Sequence, residues 1–206
     1  MQVAFVLRSG GVYTPKHVQA LAAQVAQWLP AVPMFCLSDV TVPGVPTIPL
    51  QHKWPGWWSK LELFRPDIEG DILYFDLDTV IRGPLDDIAA INHLAILRDF
   101  TRDGVLRREG LQSSVMYLPH KDRAEVWQAF IAEPQRVMME CVKGGDQQFL
   151  ERFWMGRAYR WQDYFPGQFA SYKAHWRQGL GRECHVLCFH GKPRPWLVPE
   201  FAGVYL

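Results

Sequence analysis

Asp76 and Asp78 stand two residues apart at the end of Ile72-Leu73-Tyr74-Phe75, an unbroken apolar run. Four apolar residues in a row read as a buried strand. Side chains alternate along an extended chain, so the two carboxylates face the same side. In an open α/β sheet that position, just outside the carboxyl ends of the strands, is where ligands bind. Two like charges held there repel each other unless something positive sits between them. A hard divalent cation answers that need, takes oxygen ligands and bridges to phosphate oxygens. The plain alternative is a surface turn after a strand, where Asp is common. The buried lead-in and the tight spacing favour the metal.

The elements that must hold this pair alternate in type along the chain. Val3 to Leu7 reads as a strand, Arg8 to Pro15 as a loop, and Lys16 to Leu29 as a helix with Val18, Leu21, Val25, Trp28 and Leu29 as its apolar stripe. Met34 to Leu37 is a second strand with Ser38-Asp39 at its carboxyl end, and a short strand follows around Thr47 to Leu50. Trp58 to Phe64 reads as a helix ended before Pro66. Beyond the Asp pair, a helix is expected over Pro84 to Ile91, entered through proline. Strands are expected over Leu94 to Leu97 and Val115 to Leu118, with a polar loop from Asp99 to Gly110 between them. Asp122 is a candidate N-cap for a helix to Glu133, and a further helix runs from Asp146 to Phe153. The C-terminal third reads as aromatic and irregular except for Val186 to Phe189. This order predicts one α/β domain over residues 1–206, with a mainly parallel central sheet flanked by helices.

Composition removes several classes of function. Apolar residues make up 49% of the 206, as in ordinary globular proteins, and the net charge of +1 gives no bulk attraction to nucleic acid. No run approaches the length of a membrane span. The N-terminal stretch Met1 to Arg8 is too short for a signal peptide and lacks a basic lead, so a cytoplasmic protein is expected. Neither G-x-G-x-x-G nor a phosphate-loop lysine is present. Cys36, Cys141, Cys184 and Cys188 form no disulfide framework. Cys184, Cys188 and His190 would share a strand face, but a second Cys pair for zinc is missing, and two buried thiols are expected instead.

Four segments together resemble a glycosyltransferase of the GT-A fold, closest to glycosyltransferase family 8 and its glycogenin-like members. Asp76-Leu77-Asp78 looks like the family's Asp-x-Asp metal motif. Trp58-Ser59-Lys60-Leu61-Glu62-Leu63-Phe64 sits where such enzymes carry a basic residue facing the nucleotide. Gly145-Asp146-Gln147-Gln148-Phe149-Leu150 is similar to the Gly-Asp-Gln-x-x-Leu segment, and Phe189 to Trp196 to the His…Gly…Lys-Pro-Trp signature. The resemblance implies a nucleoside-diphosphate sugar donor, in particular a UDP-sugar, and a manganese or magnesium ion held by Asp76, Asp78 and His190. It places Lys192 on the phosphates, Gly191 against them, and Lys60 and Leu77 on the nucleotide side. It puts the base in the loop from Arg8 to Tyr13, and makes Gln112-Ser113-Ser114 the small polar step under the donor sugar. Asp146 and Gln147 are then the residues beside the reacting sugar, in a reaction that commonly retains anomeric configuration. His190, Gly191 and Lys192 are contiguous, unlike the family's spaced pattern, so Arg194 rivals Lys192 for the diphosphate. The acceptor stays open among saccharide, lipid-linked glycan, protein and modified base.

Plainer roles stand beside these. His190 fits a strand-end histidine on a backbone hydrogen bond. Lys60 fits a solvated helix face, and Asp146 a helix N-cap. Of Trp54, Trp57 and Trp58, at most one is expected to touch ligand, because tryptophans bury large areas in any core. Trp161, Tyr164, Phe165, Phe169, Tyr172 and Trp176 read as core, with an acceptor-groove wall as the alternative. Arg102, Arg107 and Arg108 read as a solvated loop, with a phosphate-ordering lid as the alternative. Two other functions compete. A haloacid-dehalogenase-type phosphatase would use Asp76 as nucleophile and Asp78 as general acid, but its motif normally opens the chain. A nucleotide-sugar-binding module without turnover would keep the same acidic pair.

Overall fold

A computed structural model describes residues 1–101 and 110–205. Its elements are β1 (Gln2–Leu7), α1 (Pro15–Trp28), β2 (Met34–Ser38), β3 (Thr47–Pro49), a 3₁₀ helix (Gly56–Phe64), β4 (Ile72–Phe75) and β5 (Thr79–Ile81). There follow α2 (Asp86–Ala89), β6 (Ala95–Arg98), β7 (Leu111–Leu118), α3 (Ala124–Ala132), α4 (Pro134–Glu140) and α5 (Gly145–Trp154). The last part holds β8 (Tyr159–Arg160), α6 (Trp161–Tyr164), β9 (Phe169–Ser171), β10 (Val186–Cys188) and α7 (Pro199–Ala202).

Seven strands make the central sheet in the order β3-β2-β1-β4-β7-β6-β8. Pairs β2–β3, β1–β2, β1–β4 and β6–β8 are parallel, while β7 runs antiparallel to both β4 and β6. The mixed α/β architecture with a mostly parallel, helix-flanked sheet is therefore the one the sequence predicts. The reversal at β7 has a local consequence. Phe75 pairs with Val115, so Gln112, Ser113 and Ser114 lie alongside the carboxyl end of β4, where the acidic pair begins.

Alternation in β1 divides the core. Val3, Phe5 and Leu7 pack with Val18, Leu21 and Val25 of α1. Ala4, on the other face, packs with the 3₁₀ helix, α3 and α5 through Leu61, Phe64, Phe130 and Phe149. Pro15 occupies the first turn of α1, where its missing N–H costs nothing. The β4 strand is buried at all four positions.

Several elements differ from expectation. The segment 56–64 is a 3₁₀ helix, not an α-helix, and its wedge between α3 and α5 buries both Lys60 and Glu62. α2 spans only Asp86–Ala89, outside Pro84. α3 starts after Arg123, whose side chain donates to the carbonyls of Leu63 and Gly70, so Asp122 is not its cap. The cap of α5 is Gly144, which frees Asp146 for another role. β7 begins at Leu111, four residues before Val115. The C-terminal third is less irregular than its composition suggests, because β5, β10 and β9 form a second sheet. Trp161, Phe169 and Trp176 are core residues, whereas Tyr164 is 48% exposed. Cys184 and Cys188 are buried free thiols. Arg102, Arg107 and Arg108 lie outside the described residues. Among the described residues, no helix is long and apolar enough to cross a membrane.

Candidate active site

A cleft of about 800 Å³ opens at the carboxyl ends of β1 and β4. It gathers Arg8, Tyr13, Lys60, Asp76, Leu77, Asp78, Ser113, Ser114, Asp146, Gln147, His190 and Gly191, every candidate site residue except Lys192.

The loop after β1 is pinned from β2. Asp39 accepts hydrogen bonds from the Ser9 N–H (2.8 Å) and the Ser9 hydroxyl (2.7 Å), and pairs with Arg8 at 3.2 Å. These contacts outweigh the partial desolvation of Asp39 and hold its carboxyl below the usual range.

Lys60 stands at the floor. Its Nζ lies 3.0 Å from Asp76 Oδ1, 3.1 Å from Asp146 Oδ2, and 3.1 Å from Ser113 Oγ, to which it donates. Burial alone would drive such an ammonium toward neutrality, but the two carboxylates reverse that, and Lys60 is held well above its ordinary value. Ser113 donates to Asp146 at 2.7 Å, and Tyr74 donates to Asp76 at 2.5 Å. Burial still pushes Asp146 upward against Lys60 and Ser113. The solvated and N-cap roles considered for Lys60 and Asp146 are thus replaced by a buried ionic network.

Asp78 is 5% exposed and pairs with Arg194. Burial, then repulsion from Asp76, pushes its carboxyl up to about 7 despite Arg194. The Arg194 guanidinium lies 4.9 Å from the Tyr13 ring centre, and Trp196 meets the same ring edge-on at 5.7 Å. The chain turns at Gly191 (φ +82°), leaves Lys192 exposed outside the cleft, and delivers Arg194 instead. The cation that the C-terminal segment brings to Asp78 is therefore Arg194 and not Lys192.

His190 reaches the cleft because β10 pairs with β5, whose Thr79 directly follows Asp78. The Phe189 N–H donates to the Asp78 carbonyl at 3.0 Å. The His190 Nε2 lies 2.7 Å from Ser171 Oγ, and burial lowers its affinity for a proton. Among the described residues, no three His, Cys, Asp or Glu side chains are grouped to hold a metal ion. Asp76, Asp78 and His190 share one cleft but are engaged separately, by Lys60 and Tyr74, by Arg194, and by Ser171.

Gln147 donates to Asp99 at 3.3 Å, toward a smaller cavity of about 430 Å³. Of the three early tryptophans, Trp54 and Trp58 are core, and Trp57 is 57% exposed at the cleft. Trp57 rests on Gly145, whose φ is +59° and where a Cβ would stand 2.1 Å from the indole Nε1. Gly145→Ala therefore meets both a left-handed backbone and the indole. We expect a loss of about 1–3 kcal/mol in urea unfolding, partly restored by Trp57→Ala. The sequence places Asp39 at a strand end but not its pairing with the loop after β1, and it carries no signal for the contact of Ser171 with His190 or of Arg123 with the Leu63 and Gly70 carbonyls.

No protein-family model matches the chain, and no curated protein sequence matches it. Solved structures do. GlyE, a glycosyltransferase of Streptococcus pneumoniae, matches over 100% of this chain and 60% of its own, at 16% identity and TM-score 0.69. The galactosyltransferase LgtC, crystallised with donor and acceptor sugar analogues, matches over 100% and 95%, at 12% identity and TM-score 0.74. The bifunctional glycosyltransferase WbbM matches over 95% and 46%, at 12% and 0.64. The chain thus spans 60% of the length of GlyE and less than half of WbbM. It has the GT-A fold of these glycosyltransferases.

Proposed function

We propose that this chain is a metal-dependent glycosyltransferase that moves a sugar from a UDP-sugar to a hydroxyl acceptor, with retained anomeric configuration. The observation that carries this reading is one cleft in which Asp76, Asp78 and Arg194 face Asp146 and Gln147, on a fold shared with glycosyltransferases. Two carboxylates whose burial and repulsion raise Asp78 suit a hard divalent ion such as manganese or magnesium, which relieves both. Asp76 and Asp78 would hold it, and His190, which Ser171 now engages, would join them only by a local rearrangement of the cleft. A bound ion would supply Lewis-acid stabilisation of the departing diphosphate.

The chain's own residues supply the rest. Arg194 exchanges Asp78 for diphosphate oxygens, which places a permanent cation on the leaving group. The Asp39-anchored loop from Arg8 to Tyr13 receives the nucleoside. Lys60 and Ser113 fix the Asp146 carboxylate, so Asp146 positions the donor sugar while Gln147 faces the reacting centre beside it. Tyr13 and Leu77 close the nucleotide side against water.

The test is a thermal-shift screen of nucleotide sugars with and without manganese. The expected result is a rise in melting temperature confined to one nucleotide class and dependent on metal. No shift with any nucleotide–metal pair would overturn the reading. The raised Asp78 adds a pH signature. Its ionised form binds the cation, and that form is depleted below about pH 7, so metal-dependent UDP affinity should fall as pH drops from 8 to 6. Calorimetry across that window checks the sign.

A further inference from the structure

The cleft holds more positive charge than the donor site uses. Lys60 is matched by Asp76 and Asp146, Arg194 by Asp78, and Arg8 by Asp39. Lys53 and Lys143 also line the cleft, both exposed, and neither forms an ion pair with any described residue. They stand on the segments that flank Trp57. Lys53 precedes it on the way into the 3₁₀ helix, and Lys143 lies two residues before Gly145, on which the indole rests. On the glycosyltransferase reading this is the sugar end of the cleft, since the same turn continues into Asp146 and Gln147, while the loop after β1 receives the nucleoside. From Lys143 and Gln147 the surface continues into the smaller cavity, which Gln148, Thr101 and two carboxylates line, Asp99 accepting from Thr101 and Gln147 and Glu151 from the Leu111 N–H.

We propose that the acceptor is an anionic saccharide, with a sugar ring against Trp57 and a phosphate or carboxylate group between Lys53 and Lys143. An exposed indole held rigidly by a glycine suits the apolar face of a pyranose. Two ammonium groups without carboxylate partners attract an anion and disfavour a neutral competitor mainly by leaving it unrewarded. The proposal rests on the glycosyltransferase reading of the cleft and names the substrate that reading leaves open.

The experiment titrates the full chain, with UDP and manganese present, with glucose, glucose 6-phosphate and glucuronic acid, read by tryptophan fluorescence. At least one anionic sugar should bind about tenfold or more tightly than glucose, with a preference that shrinks as salt rises. The phosphate and uronate arms tell which anion is recognised. Lys53→Ala/Lys143→Ala should erase the preference, and Lys53→Arg/Lys143→Arg should keep it. Equal affinity for all three sugars, no saturable binding of either anion, or a preference that survives in the double alanine variant would each overturn the proposal. So would a matching fall in UDP affinity in that variant, which would assign the lysines to the donor. UDP affinity of the native chain, measured first by calorimetry, separates the two failures. Its absence removes the donor reading and this proposal together, and its presence without anion preference removes this proposal alone.

Discussion

Asp78→Ala should abolish manganese-dependent UDP binding and leave the fold intact. Outer-shell partners of a metal site alone are worth about 10- to 100-fold in affinity, and a carboxylate at the acidic pair should exceed that. The fold should tolerate the change because the native carboxylate is buried under protest. Desolvation and Asp76 both raise it, so its removal relieves repulsion. The Arg194 left behind is partly solvated, with 22% of its side chain exposed, and does not become a stranded buried charge. Calorimetry with UDP and manganese provides the measure, and Trp28→Phe on α1 serves as the unaffected control. Equal UDP affinity in the native chain and in Asp78→Ala would count decisively against the metal reading. Turnover of an aryl phosphate abolished by Asp76→Asn would point to the phosphatase alternative instead.

Lys60→Met carries the second large effect, and it falls on stability as well as activity. The Lys60 side chain is 8% exposed and lies between Asp76 and Asp146, whose own exposures are 24% and 6%. Removing one partner of a buried ionic group strands the other at a cost of about 3–5 kcal/mol. Urea unfolding of the metal-free protein should show that loss. Adding Asp146→Asn should recover much of it, because the amide keeps a bond to Ser113 and no longer needs a counter-charge. Manganese should also recover part of it through Asp76. Loss of stability with no rescue by either route would mean that Lys60 serves packing and not charge.

The sequence carried the acidic pair clearly because its main signal is local. A four-residue apolar run places Asp76 at a strand end without help from distant residues, but the chain turns there, with the Thr79 N–H donating to the Asp76 carbonyl at 3.0 Å, so Asp78 joins it from the turn between β4 and β5 and not by strand alternation. α1 was equally legible, since Val18, Leu21 and Val25 recur at helical spacing and are all fully buried. Lys60 was harder. Nothing in its neighbourhood says that it is buried; besides Asp76, its partners come from β7 and α5, more than fifty residues away. The replacement of Lys192 by Arg194 depended on the turn at Gly191 and on the clasp of Tyr13 with Trp196, which no local pattern encodes. The second sheet was missed for the same reason, since β5, β9 and β10 are three residues each and β10 pairs with β5 across about a hundred positions.

The three residues of the acidic motif straddle a seam. The Asp76 N–H donates to the Ser114 carbonyl in the large sheet, while the Asp78 carbonyl accepts from the Phe189 N–H next to β10 of the small one. A ligand gripped by both carboxylates therefore rivets two separately hydrogen-bonded bodies together. Occupancy should protect the backbone amides of β10 from solvent exchange even though no donor atom need touch that strand, so the C-terminal sheet reports on what happens at a motif more than a hundred residues upstream.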